Sequence, residues 1–227
     1  MAERRAALDG SPVFWLFLKF VLLGPALRLM FRPKVTGLEN IPREGGAILA
    51  ANHVSFLDGM LLPLVVPHRR VMWLTKVKYI DKPVLHWFLT GAGVIPVATD
   101  DPRAIRSAVT GAVEAVRSGR LVGIFPEGTR SPDGRLHRGK TGVARVAFES
   151  GAPVIPVGIT GTDRAFPRGA KLPRPRSVRI AFGPPITFSV PGGKARSASL
   201  TRTATDEVMA AIRTLSGQQV AEVEPTA

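Results

Sequence analysis

Two short stretches hold residue types that could do chemistry together. Asn52-His53-Val54-Ser55-Phe56-Leu57-Asp58 pairs an imidazole with a carboxylate a few residues on, a general base and the group that would hold it. Phe125-Pro126-Glu127-Gly128-Thr129-Arg130-Ser131 puts a guanidinium, a hydroxyl and backbone amides on one glycine-containing turn. A guanidinium there can grip an anion such as a phosphate through two parallel hydrogen bonds.

For the first stretch to work, the chain must bend. His53 and Asp58 are five apart, and on a continuous helix that spacing turns their side chains about 140° from each other. With His53 at the end of a strand and Asp58 in the first turn of the next helix, Asp58 can accept the proton of one ring nitrogen. It would thereby fix the tautomer and leave the other nitrogen free to take a proton from a hydroxyl. Ser55 lacks the G-x-S-x-G setting of a nucleophilic serine and reads as a cap. His68, His86 and His137 have no companions at ligand spacing, so no metal site is expected.

In the second stretch Glu127 would repel a phosphate, so it is expected either to orient Arg130 or to accept a hydrogen bond from a substrate hydroxyl. Further on, Gly134-Arg135-Leu136-His137-Arg138-Gly139-Lys140-Thr141 matches the nucleotide-binding pattern G-x4-G-K-[ST]. Such a loop opens directly after a strand. Here a polar turn, Thr129–Asp133, intervenes, so Lys140-Thr141 reads as a basic helix start.

The elements that must position these residues follow from apolar periodicity. Strands are predicted at Lys34–Leu38, Gly46–Ala51, Arg70–Leu74, Val94–Val97, Leu121–Phe125, Val154–Ile159 and Ser177–Phe182. Helices are predicted at Phe56–Val65, Lys82–Leu89, Pro102–Ser118, Thr141–Ser150 and Leu200–Leu215, with Pro102 in a first turn after Asp100 or Asp101 and Gly119 as a stop. Alternating strands and helices imply a three-layer α/β sandwich with a mostly parallel central sheet of about seven strands. Both motifs then fall where strands end and helices begin, the edge at which such sheets place their sites.

The 227 residues suit one sizeable core with appendages: an N-terminal helical segment over 1–33, the α/β domain over 34–215 and a disordered tail over 216–227. The chain has no cysteine and a net charge of +14, which excludes disulfides and thiolate chemistry and implies an anionic partner. The basic residues are scattered and lack nucleic-acid-binding spacing, so an anionic membrane surface or a phosphorylated small molecule is expected instead. Pro12–Phe31 is long and apolar enough to cross a bilayer, but Lys19 and Arg28 would each cost about 3 kcal/mol at mid-membrane. Gly24-Pro25 is expected to break the segment into two short helices lying in one leaflet, with both basic residues snorkelling to headgroups.

The two motifs, in this order, resemble the glycerolipid acyltransferases, the 1-acyl-sn-glycerol-3-phosphate acyltransferases (PlsC-like) and their relatives. His53 and Asp58 match that family's N-H-x4-D block, Phe125–Ser131 its F-P-E-G-T-R-S block, and Val154–Ile159 its fourth, apolar block. The resemblance implies that His53, supported by Asp58, abstracts a proton from an acceptor hydroxyl that attacks the thioester of acyl-CoA or acyl-carrier protein, with no further cofactor. It assigns Glu127, Gly128, Thr129 and Arg130 to the acceptor's phosphoglycerol, Lys76 to the thioester oxygen, and Arg103 to the phosphate. The segment Gly93–Asp100 lacks the arginine that the family carries there, and Arg103 arrives late. The implied product is phosphatidic acid, made at the cytoplasmic face of the cell membrane by a peripheral or monotopic enzyme. Another lysophospholipid, a glycolipid or glycerol 3-phosphate as acceptor is the alternative; a non-catalytic lipid-binding module is the reading from a different class.

Overall fold

The computed structural model describes residues 11–76, 89, 93–97, 102–189 and 197–221. Seven strands form one sheet: β1 (Lys34–Thr36), β2 (Ala47–Ala51), β3 (Val71–Lys76), β4 (Val94–Val97), β5 (Leu121–Ile124), β6 (Val154–Thr160) and β7 (Arg179–Phe182). Their order is β1-β7-β6-β2-β5-β3-β4. All neighbours pair in parallel except β6 and β7. The mostly parallel seven-stranded sheet matches the expectation. Strand ends differ by a few residues, and the expected helix Lys82–Leu89 lies outside the described residues apart from Leu89.

The helices are α1 (Pro12–Phe17), α2 (Leu23–Phe31), α3 (Leu57–Val65), α4 (Pro102–Arg117), α5 (Gly142–Ser150), α6 (Thr162–Ala165) and α7 (Ala198–Ser216). Each central strand is apolar on both faces because both are covered. On one face Ala47, Leu49 and Ala51 of β2 pack with Leu57, Leu61 and Leu62 of α3 and with Phe31. On the other, Ile48 and Ala50 pack with Val113 of α4, Val143 of α5 and Val208 of α7. The one-residue alternation along β2 therefore separates the two outer layers.

The N-terminal segment departs from expectation. Gly24-Pro25 does not split it: α1 and α2 join through a π-helical stretch, Leu18–Leu22, and the helix runs unbroken from Pro12 to Phe31. The wider turn, closed by Leu23 N–H on the Leu18 carbonyl, precedes the proline whose ring would crowd an ordinary one. Gly24 fits this turn because a Cβ there would sit 1.6 Å from the Lys19 carbonyl oxygen.

Lys19 does not snorkel outward, whereas Arg28 stays exposed. Lys19 is buried and donates to the carbonyls of Val66 and Pro67, and Arg28 donates to Leu64 O at 3.3 Å. These are carbonyls at the C-terminal end of α3, left without helical partners or exposed at its last turn, where cations are favoured. Trp15 and Leu18 complete the contact against Leu64.

The far terminus is also tied in. Residues 217–221, expected to fray, leave α7 and pair back: Leu136 N donates to Gln219 O at 2.8 Å and Ala221 N to Leu136 O at 3.0 Å. The sequence shows no apolar period there because the pairing is with a loop, not with the core.

Burial, and secondly the charge of Arg28, lower the Lys19 pKa to about 8 from the usual 10.5. Because the folded value lies below the unfolded one, the unfolded chain binds more protons between those limits and stability rises with pH. Compared with Lys19→Met in urea titrations, the native chain is expected to gain up to about 3 kcal/mol as pH rises from about 8 to about 10.5. A pH-independent difference would show that Lys19 is not buried as a cation.

Candidate active site

Strands β2 and β5 are neighbours, yet the helices after them go to opposite faces, α3 to one and α5 to the other. Their departing loops diverge and open a crevice at the C-terminal edge, the switch point at which open α/β sheets bind ligands. The two sequence motifs are those two loops.

The chain leaves β2 at Asn52. There the side-chain amide takes over the ladder toward β6: Nδ2 donates to Ile159 O at 2.9 Å, and Oδ1 accepts from Ile159 N at 2.7 Å. The backbone is thereby free to turn. His53 Nδ1 comes to lie 3.0 Å from Asp58 Oδ2 across the expected bend. The same oxygen accepts from Val54 N and Ser55 N, both at 2.8 Å, so Asp58 closes the N-terminus of α3 while holding the ring. Asp58 is fully buried; the His53 side chain is 16% exposed. With Nδ1–H donated to Asp58, Nε2 is the nitrogen left for a substrate. Ser55 is buried and its hydroxyl donates to Phe166 O at 2.9 Å, directed away from nucleophilic work.

The second motif grips the first through the His53 backbone. His53 N donates to Glu127 Oε1 at 2.9 Å, and Ser131 N donates to His53 O at 2.7 Å. Glu127 Oε2 accepts from His137 N at 3.0 Å. Both Glu127 oxygens are thus taken up by backbone amides; the carboxylate is buried and, among the described residues, bonds neither Arg130 nor any other guanidinium. Burial raises its pKa, opposed by the hydrogen bonds from His53 and His137. It ties the two loops together, where the sequence suggested that it orients Arg130 or meets substrate.

Gly128 (φ +72°) and Thr129 lie exposed on the turn, and Arg130 is half-buried beside them. Among the described residues, the Arg130 guanidinium has no hydrogen-bond or ion-pair partner, as an anion-binding group requires. Lys140 reaches over the turn, its Nζ 3.1 Å from where a Gly128 side chain would begin. Gly134–Thr141 is not a phosphate loop: β5 ends at Ile124, and Asp133 braces the segment by accepting from the His137 ring at 2.8 Å and from Arg135 N at 3.0 Å. The His137 bond, then the Arg135 amide, bring the Asp133 pKa down to about 2.

Lys76 ends β3 at the same edge; its side chain lies outside the described residues. Arg103 is exposed in the first turn of α4. It follows β4, which lies two strands from β5 and three from β2. A separate cleft of about 560 Å³ lies at the opposite edge, lined by Arg43, Arg69, Arg70 and Arg120, and holds none of these groups.

Two features were missed in the sequence. The His53 ring stacks on Phe125 with centroids 3.9 Å apart, and Phe125 stacks on Trp73 at 4.5 Å. Such stacks contribute about 1 kcal/mol each and fix the imidazole plane. Trp73 lies flat there because its β5 partner is Gly123; a Cβ would come 2.6 Å from the indole. A glycine in an otherwise apolar strand was the available signal. The other feature is Gln218: Oε1 accepts from Asn52 Nδ2 at 2.7 Å, and Nε2 donates to Gly134 O at 2.7 Å. It holds the residue before His53 against the loop after Arg130. No sequence signal marks it.

Gln218→Ala is expected to lower kcat about tenfold to a hundredfold through misplacement of His53, with KM little changed. Gln218→Glu keeps the acceptor for Asn52, loses the donor to Gly134, and should fall between. Unchanged kcat in both variants would remove Gln218 from the positioning network.

Several known proteins are similar to this chain. The 1-acyl-sn-glycerol-3-phosphate acyltransferase BAT2 (chloroplastic) of Brassica napus is 33% identical over 158 residues, 69% of this chain and 45% of its own length. The 1-acyl-sn-glycerol-3-phosphate acyltransferase of Borreliella burgdorferi is 33% identical over 132 residues, 58% of this chain and 52% of its own. The chain thus spans about half the length of these curated relatives. The crystal structure of the 1-acyl-sn-glycerophosphate (LPA) acyltransferase PlsC from Thermotoga maritima superposes with a TM-score of 0.67 at 28% identity, covering 89% of this chain and 87% of that one. The acyltransferase family profile matches residues 32–160, which take in both motifs and the strands that carry them; the chain belongs to the acyltransferase family.

Proposed function

We propose that the chain transfers a fatty acyl group from a thioester, acyl-CoA or acyl-carrier protein, to the sn-2 hydroxyl of 1-acyl-glycerol 3-phosphate, giving phosphatidic acid. The observation that supports this most is a His53 whose Nδ1 is engaged by Asp58 while Arg130, one residue from the amide bonded to His53, has no partner among the described residues. Nε2 takes the proton of the acceptor hydroxyl as its oxygen attacks the thioester carbonyl. The tetrahedral intermediate collapses to the ester, and the departing thiolate receives that proton from the imidazolium. Asp58 stabilises the imidazolium, so no acyl-enzyme is needed. Arg130, with Lys140 beside it, binds the acceptor phosphate, and Thr129 offers its exposed hydroxyl to the same headgroup.

The N-terminal helix supports attachment to a membrane, and we propose that this is at the cytoplasmic face of the cell. Val13, Leu16, Phe17, Phe20, Val21, Leu22 and Leu29 are exposed along it, while its two cations are bonded to α3. An apolar surface of this kind suits burial in one leaflet. There the enzyme meets acceptors that are themselves lipids.

With acyl-CoA and lysophosphatidate, His53→Ala is expected to lower turnover by about 10² to 10⁴; turnover at the native rate would overturn the mechanism. Arg130→Ala is expected to raise the acceptor KM by roughly tenfold or more, the loss of a charge-assisted contact, and to leave the donor KM near its native value. Equal effects on both would reassign Arg130.

A further inference from the structure

The loop between α6 and β7 presents Arg164, Arg168, Lys171, Arg174 and Arg176 with a single acid, Asp163, at its start. All five cations are exposed, and among the described residues none has a side-chain hydrogen bond or ion pair. Leu172, between them, is 78% exposed. Pro167, Pro173 and Pro175 restrict the loop backbone, so less entropy is lost in presenting these groups to a partner. Backbone bonds fasten the loop: Arg174 N donates to Ala165 O at 2.7 Å, Val178 N to Phe31 O at 3.0 Å and Lys34 N to Val178 O at 2.8 Å.

Its position gives the cluster meaning. Phe166 packs against the same face of the sheet as Phe31 and α3, and its carbonyl receives the Ser55 hydroxyl, two residues from His53. The far end of the loop is bonded to the last residue of α2, the helix that begins the exposed apolar segment in reverse. An unpaired cation cluster around an exposed leucine, joined at one end to an apolar helix and at the other to Ser55, has the composition of a membrane-contacting surface.

We propose that the loop 163–176 is a second membrane contact, which binds anionic phospholipid headgroups through Lys171, Arg174 and Arg176 and seats Leu172 in the interface. It would set the His53 edge against a negatively charged leaflet, while the N-terminal helix supplies the apolar attachment. The inference rests on the membrane-associated reading above. Its test contains no turnover, so failure of the acyltransferase chemistry and failure of this surface are told apart.

The test is sedimentation of the full chain with phosphatidylcholine vesicles, with and without phosphatidylglycerol. Each basic residue near an anionic surface is worth about fivefold in partitioning. Lys171→Gln/Arg174→Gln/Arg176→Gln is therefore expected to lose about a hundredfold on the phosphatidylglycerol vesicles and almost nothing on phosphatidylcholine alone. High salt should erase the difference. Arg174→Lys/Arg176→Lys keeps the charge and should bind as the native chain does, and Leu172→Ser should weaken binding to both vesicle types. Native partitioning by the triple variant would overturn the proposal. So would a defect seen without vesicles, as weakened binding of a soluble acyl-carrier protein or of nucleic acid, because the loop would then serve another partner.

Discussion

The backbone of one histidine holds this site together. His53 lies outside the sheet ladder, so its N–H and C=O must find partners elsewhere. Both are supplied from a loop more than seventy positions later in the chain, by the Glu127 carboxylate and the Ser131 amide. The reactive ring is therefore fixed by bonds that do not involve the ring, and Nε2 is left unencumbered. Asp58 and Phe125 then set the two remaining degrees of freedom, the tautomer and the plane.

A buried carboxylate is a costly way to join two loops, since desolvation disfavours its charged form, as the raised Glu127 pKa reflects. Two backbone amides offset part of that cost with charge-assisted bonds. An amide in its place would turn an N–H donor toward one of them. The position thus asks for an acceptor at both ends, which only a carboxylate provides. This explains the buried Glu127 better than direct contact with an anionic substrate does.

Much of this was legible in the sequence for an identifiable reason. Fully covered parallel strands read as continuous apolar runs, and Ala47–Ala51, Leu121–Ile124 and Val154–Thr160 are such runs. The His53–Asp58 contact was legible because helical geometry forbids it without a bend, and the bend follows from a strand ending at Ala51. What stayed hidden depends on distant pairing. Gln218 follows a helix and looks like a tail, yet it bonds Asn52 and Gly134. Gly24-Pro25 reads as a breaker because local rules cannot anticipate a π turn one step earlier. Lys19 reads as a headgroup ligand until the open end of α3 appears beneath it.

That last case links the two ends of α3, a helix of nine residues. Asp58 lies in its first turn, where backbone N–H groups and the helix dipole favour an anion; Lys19 and Arg28 meet carbonyls at its other end, where they favour a cation. Each end is satisfied by a group with a second task. Asp58 also holds the imidazole, and Lys19 and Arg28 belong to the segment whose exposed side chains are mostly apolar. The N-terminal helix thus packs on the same element that carries Asp58.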